Sequence, residues 1–129
     1  MLQPNKILVI RFSSLGDLIL TSPIFRELRR IFPGANLNLL TSVGFGDVLD
    51  NNPHLDRIIK HPRKENFEQL NQLIEELQAE EFDLIYDAHR SMRSRWIVSR
   101  LTAFGMKRKP AVWKIDKRTV NRKLLIHLG

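Results

Sequence analysis

A chain of 129 residues has room for one domain, and its 43% hydrophobic content is enough for a globular core. It has no cysteine, which excludes a disulfide framework and a thiolate metal site. No run reaches the roughly 18 apolar residues of a transmembrane helix. The apolar stretch Ile7 to Ile10 is too short for a secretory signal, and no small-residue cleavage site follows it. These features predict a soluble cytoplasmic protein that could touch a membrane from its inner face. The net charge of +7 is unevenly spread: residues 1–87 carry 9 Lys/Arg against 13 Asp/Glu, residues 88–129 carry 12 against one. Such asymmetry points to an anionic partner, whether phosphorylated lipid, nucleic acid or an anionic membrane face. It also fits a piece of a longer chain whose remainder carries the balancing acids.

Lys6 to Arg11 is a continuous apolar run bounded by charge, the pattern of a strand buried on both faces of a parallel sheet. From Gly16 to Phe32, apolar residues recur at helical spacing (Leu18, Leu20, Ile24, Phe25, Leu28, Ile31, Phe32), and Pro33-Gly34 ends the run. Pro23 leaves two options: Ser22 caps a helix with Pro23 at its first position, or a longer helix starts near Gly16 and bends at Pro23. Asn36 to Thr41 reads as a strand, Gly44 to Leu49 as a short helix, Arg57 to Lys60 as a third strand. Phe67 to Glu80 is an amphipathic helix with Phe67, Leu70, Leu73, Ile74 and Leu77 on one face. Phe82 to Asp87 is a fourth strand. Ser91 to Phe104 is a helix with Trp96, Ile97, Val98, Leu101 and Phe104 inward. Ala111 to Ile115 is a fifth strand, and Thr119 to His127 opens another helix. Alternation of strands and helices over short connections predicts a parallel, doubly wound α/β sheet with helices on both faces. The chain stops as another element begins, which predicts one Rossmann-like domain, 1–129, from a larger protein.

Ligands of open α/β sheets bind at the carboxyl ends of strands. The loop Phe12-Ser13-Ser14-Leu15-Gly16-Asp17 lies at such an end. It has one glycine where a dinucleotide fingerprint needs three, and no Gly-Lys-Ser/Thr of a phosphate loop. It offers two hydroxyls, a Gly16 that lets a ligand approach, and a carboxylate at the mouth of a helix. Asp17 can be a helix cap, favoured by the dipole by about 0.3–1 kcal/mol. It can also be a general base that takes the proton of an attacking sugar hydroxyl. Ser13 and Ser14 can hydrogen-bond a sugar or that base, or form caps and turns.

Ile7-Leu8-Val9-Ile10-Arg11-Phe12-Ser13-Ser14-Leu15-Gly16-Asp17, continuing to Thr21-Ser22-Pro23, closely resembles the opening of the heptosyltransferase family (glycosyltransferase family 9). Leu28 to Ala35 also resembles that family, as do Phe82 to Asp87 with Arg90 and Arg93-Ser94, and Lys117-Arg118 with Arg122. The resemblance implies the N-terminal, acceptor-side half of a GT-B glycosyltransferase that transfers heptose from ADP-heptose to the inner core of lipopolysaccharide, with inversion. It implies Asp17 as base, with the donor held by a C-terminal domain absent from this chain, so that the chain alone would be inactive. It implies no cofactor and no metal, and His54, His61, His89 and His127 show no ligand spacing. His54 and His61 read as surface loop.

For the anionic lipid A–core acceptor, the resemblance selects basic residues at carboxyl ends of strands: Lys60, Arg63 and Lys64 after the third, Arg90 and Arg93 after the fourth, and Lys117 and Arg118 after the fifth. Arginine suits phosphate and carboxylate by its planar fork, lysine as a point charge. Arg90 is expected nearest the cleft, with Arg93 and Arg95 able to turn outward. Lys107-Arg108-Lys109 reads as a solvated turn, and Trp96 and Trp113 as packing residues. Two other readings stand beside the transferase half: a basic nucleic-acid-binding α/β module, and a truncated fragment without function. Against nucleic acid, no reading motif or aromatic platform interleaves the basic residues.

Overall fold

The computed structural model describes residues 4–12, 15–44, 52–62, 66–103, 109–115 and 126–128. Its elements run β1 (Lys6–Ile10), α1 (Leu15–Ile31), β2 (Asn36–Ser42), β3 (Arg57–His61), α2 (Phe67–Glu80), β4 (Leu84–Asp87), α3 (Met92–Leu101), β5 (Ala111–Ile115) and β6 (Ile126–Leu128). The sheet order is β3-β2-β1-β4-β5-β6, with parallel pairing throughout except between β5 and β6. Five parallel strands therefore form the doubly wound sheet, finished by one antiparallel edge strand.

The continuous apolar runs are explained by burial on both faces. In β1, Ile7 and Val9 pack with Ile24, Phe25 and Leu28 of α1. Leu8 and Ile10 pack on the opposite face with Leu73, Ile74 and Leu77 of α2 and Ile97 and Leu101 of α3. A strand buried on one face would have kept polar residues at alternate positions; β1 has none between Ile7 and Ile10. The helix cores follow helical spacing, and two caps fix where helices begin. Asn66 accepts the Gln69 N–H while the Gln69 side chain accepts from Asn66 N–H, and Ser91 and Ser94 do the same for α3.

Several expectations need correction. Helix α1 runs through Pro23, so the longer-helix option is the one adopted, and Asp17 is the third residue of the helix. Pro23 has no N–H for the Ile19 carbonyl, a loss that the packing of Ile24, Phe25 and Leu28 outweighs. Ile126 and His127 belong to an antiparallel strand, not a helix: β5 would otherwise be a bare edge, and pairing Trp113 with Leu128 and Ile115 with Ile126 satisfies its backbone. His61 is buried at the end of β3, and its carbonyl accepts the Val43 N–H, so it is no surface-loop residue. Trp96 is exposed, whereas Trp113 does pack, against Phe32 at 5.8 Å between ring centroids. Most of the short helix expected over Gly44 to Leu49 lies outside the described residues, as do Phe104, Lys107 and Arg108.

At the amino ends of the strands, Asp56 ties α1 to the sheet. It accepts the Leu37 N–H at 2.7 Å and Arg29 Nη2 at 2.7 Å, while Arg29 also donates to the Ala35 and His54 carbonyls. The Leu37 N–H, and then the Arg29 guanidinium, hold the Asp56 carboxyl below its ordinary value of 3.8 against opposing desolvation. A depressed carboxyl contributes stability above its unfolded pKa and loses it as pH falls through the folded value. Melting temperature should therefore fall on acidification below pH 3.8. Asp56→Asn should flatten part of that fall, with an effect below about 1 kcal/mol because the side chain is well exposed. An acid limb identical in Asp56→Asn and the parent would contradict this role; melts across pH decide.

Candidate functional site

From β1 the chain winds outward through β2 to β3, then returns to the other side of β1 and continues through β4 to β5. The connections on the two sides of this reversal lie on opposite faces, so a crevice opens at the carboxyl ends of β1 and β4. Two contacts join the loops there. Arg11 Nη1 donates to the Ala88 carbonyl at 2.7 Å, and the Phe12 N–H donates to His89 Nδ1 at 3.2 Å. The second bond leaves the proton of a neutral His89 ring on Nε2. The Arg93 guanidinium lies 3.7 Å from the centre of the Phe12 ring, and the His89 ring is 6.0 Å from it. Phe12 is thus bracketed between an arginine and a histidine, with its backbone fixed just before the Ser13–Asp17 segment.

The β4–α3 loop is built around Asp87, which is 2% exposed. Its Oδ1 accepts the N–H groups of His89 (3.1 Å) and Arg90 (2.7 Å), and its Oδ2 accepts the Ser94 hydroxyl at 3.1 Å. A buried carboxylate surrounded by donors holds the turn that presents Arg90. Arg90 itself has φ of +56°, the left-handed conformation that costs a side-chain-bearing residue roughly 1–2 kcal/mol.

The sequence-selected residues divide into three groups. Arg90, whose N–H is held by Asp87, and Arg93, turned onto Phe12 and not outward, both follow the carboxyl end of β4, while Arg95 is exposed. Lys60 sits one residue before the end of β3, paired with Thr41, at the same end of the sheet. Two strands intervene between β3 and β4, so at about 4.8 Å per strand Lys60 lies about 14 Å from the Arg90 loop. No single phosphate spans that distance, and only an extended ligand could touch both. The backbones of Gly16 and Asp17 lie in the first turn of α1. Ser13, Ser14, Arg63, Lys64, Lys117 and Arg118 lie outside the described residues, as do the side chains of Gly16 and Asp17. The contributions of Arg11, Asp87 and His89 were not anticipated from sequence. The available signals are a charge at the carboxyl end of an apolar strand and a Ser-x-x-Ser capping pair that starts four residues after Asp87. Among the described residues, no group of three or more His, Asp or Glu could hold a metal ion.

No family model matches the chain. Lipopolysaccharide heptosyltransferase 1 of Escherichia coli K12 is 28% identical over 111 residues, covering 79% of this chain and 34% of the relative. The Pseudomonas aeruginosa heptosyltransferase 1 is 26% identical over 129 residues, covering 91% and 36%. The glycosyltransferase family 9 structure from Veillonella parvula superposes with a TM-score of 0.73 at 25% identity, over 81% of this chain and 31% of that one. The chain is similar to lipopolysaccharide heptosyltransferases in both sequence and fold. It spans about a third of the length of the heptosyltransferases it matches. The E. coli heptosyltransferase WaaC bound to ADP-2-deoxy-2-fluoro heptose shares the fold, with a TM-score of 0.69 at 23% identity over 90% of this chain.

The strain at Arg90 makes a stability test. Arg90→Gly should raise unfolding free energy in urea by about 1 kcal/mol, since glycine adopts positive φ without the Cβ penalty. A loss of stability of that size would mean that the arginine side chain holds the loop.

Proposed function

We propose that this heptosyltransferase segment is the acceptor-side half of an inverting enzyme that transfers heptose from ADP-heptose to the inner core of lipopolysaccharide. The observation that carries the reading is the reversal of the sheet between β1 and β4. It brings the start of α1, with Asp17 in its first turn, to the same crevice as Arg90 and Arg93. Such a crevice is where open α/β sheets take ligands. In the proposed step Asp17 accepts the proton of an acceptor hydroxyl while that oxygen attacks the anomeric carbon. The bond from that carbon to the diphosphate breaks, ADP leaves with the electron pair, and the configuration inverts. Ser13, Ser14 and Gly16 shape the approach of the sugar. Arg90 and Arg93 meet an acceptor phosphate or carboxylate at the crevice, and Lys60, Arg63 and Lys64 meet a second anionic group at the β3 edge. Lys117 and Arg118 extend the basic rim beyond β5.

The donor is held by a second, C-terminal domain, and no cofactor or metal takes part. The acceptor is an amphiphile, so the enzyme works in the cytoplasm at the inner face of the inner membrane. Among the described residues no helix is long and apolar enough to cross that membrane.

The 129-residue chain alone, given ADP-heptose and acceptor, should form no product. Within a two-domain enzyme carrying this segment, Asp17→Asn should lower kcat by about 10²–10⁴ with little change in melting temperature. Turnover by the isolated chain would refute the division of labour, and a near-normal rate for Asp17→Asn would leave that residue as a helix cap.

A further inference from the structure

Three of the five large apolar side chains exposed on the described surface lie together. Phe67 is 67% exposed, Met92 89% and Trp96 41%, and all three line one groove between the first turns of α2 and α3, about 780 Å³ in volume. Asn66, Leu70, Arg93, Arg95 and Ser99 complete it. Among the described residues no acidic side chain lines it, and two of the eight that do are arginines. Helix α3 carries Arg93, Arg95 and Arg100 and no acid, with the Arg100 guanidinium 5.7 Å from the Trp96 ring centre. Both helices start after the carboxyl end of a strand, so the groove opens at the same end of the sheet as the crevice. Arg93 belongs to both: it lines the groove and stacks on Phe12.

We propose that this groove is a docking surface for an anionic lipid bilayer, seated by Phe67, Met92 and Trp96 among the acyl chains and by Arg95 and Arg93 on lipid phosphates. A contiguous exposed apolar patch has to be covered by something. The side chains here fit an interface between water and lipid. An indole and flexible apolar chains enter the headgroup boundary, while arginines keep their charge at phosphate level over apolar stems. The arginines of α3, with no acid among the described lining residues, favour a negatively charged surface over a neutral one. The inference deepens the proposed function by orienting the crevice toward a membrane-borne acceptor. It stands on the groove alone, and bilayer docking requires neither donor nor sugar.

The test uses the 129-residue chain and vesicles free of saccharide. Co-sedimentation is measured with phosphatidylglycerol-containing vesicles and with pure phosphatidylcholine. Binding should be strong on the first and weak on the second. Arg95→Gln should lower partitioning about fivefold on the anionic vesicles alone. Met92→Ser with Phe67→Ser should lower it at least tenfold while circular dichroism is unchanged, because both side chains are already in water. In a Trp113→Phe background, lipids brominated near the headgroup should quench Trp96 emission. No partitioning, or partitioning indifferent to lipid charge, overturns the proposal. So does a concentration-dependent dimer that buries Trp96 and is abolished by Met92→Ser, since the groove would then belong to a second copy. Vesicle binding by a chain whose full enzyme transfers no heptose would keep the docking surface and reject the transferase reading.

Discussion

The reversal of strand order at β1 is the constraint on which the site depends. β1 lies inside the sheet, with β2 on one edge and β4 on the other. Because the chain reaches those partners by opposite routes, the loops leaving β1 and β4 must part at their carboxyl ends. Side-chain chemistry then keeps the gap from drifting. Arg11 bonds the Ala88 carbonyl, and the Phe12 N–H bonds His89, so the two loops are tied at their bases.

Electrostatics is arranged in two layers around the same gap. The inner layer is neutralised: Asp87 is buried and is satisfied by two backbone N–H groups and the Ser94 hydroxyl. The outer layer is basic, with Arg90 held in a conformation suited to glycine and Arg93 stacked on Phe12. A buried carboxylate fixes geometry at little cost when every oxygen is bonded. Acid-sensitive contacts lie at the opposite end. Asp56 with Arg29, and Glu80 with Lys6 and Arg57, close the amino ends of the strands. Hydrogen bonds from Lys6 and then Arg57 hold Glu80 below its ordinary range, against desolvation. Folding charges and candidate binding charges are thereby separated by the length of the strands.

Much of this was legible in the sequence, because the signals were strong and local. Unbroken apolar runs gave β1 and β4, and the stripe Leu70, Leu73, Ile74 and Leu77 gave α2. Its start at Phe67 is set by the Asn66–Gln69 cap. Errors arose where a position's role depends on what lies across from it. Trp96 reads as core beside Ile97 and Val98, but the buried stripe of α3 is Ser94, Ile97 and Leu101. A polar Ser94, hydrogen-bonded to Asp87, holds the place of an apolar residue and disguises the phase of the helix. Phe67 continues the α2 stripe by spacing yet lies in its first turn, beyond the reach of the sheet. His127 reads as helix because the need of β5 for an edge partner is invisible locally. The crevice contacts Arg11–Ala88 and Phe12–His89 join residues 77 apart and could not be read from spacing.

The acceptor reading and the lipid groove converge on one end of the molecule, where β1, β3 and β4 finish and α2 and α3 begin. The most direct measurement is an amide chemical-shift titration of the 129-residue chain with the delipidated, phosphorylated inner-core saccharide. Shifts should concentrate at Phe12, His89 and Arg90, extending to Lys60, and should fall away at Asn5, Asn36 and Asp83 at the far ends of the strands. Shifts confined to those far ends, or absent at saturating saccharide, would contradict the placement of the acceptor in the β1–β4 crevice.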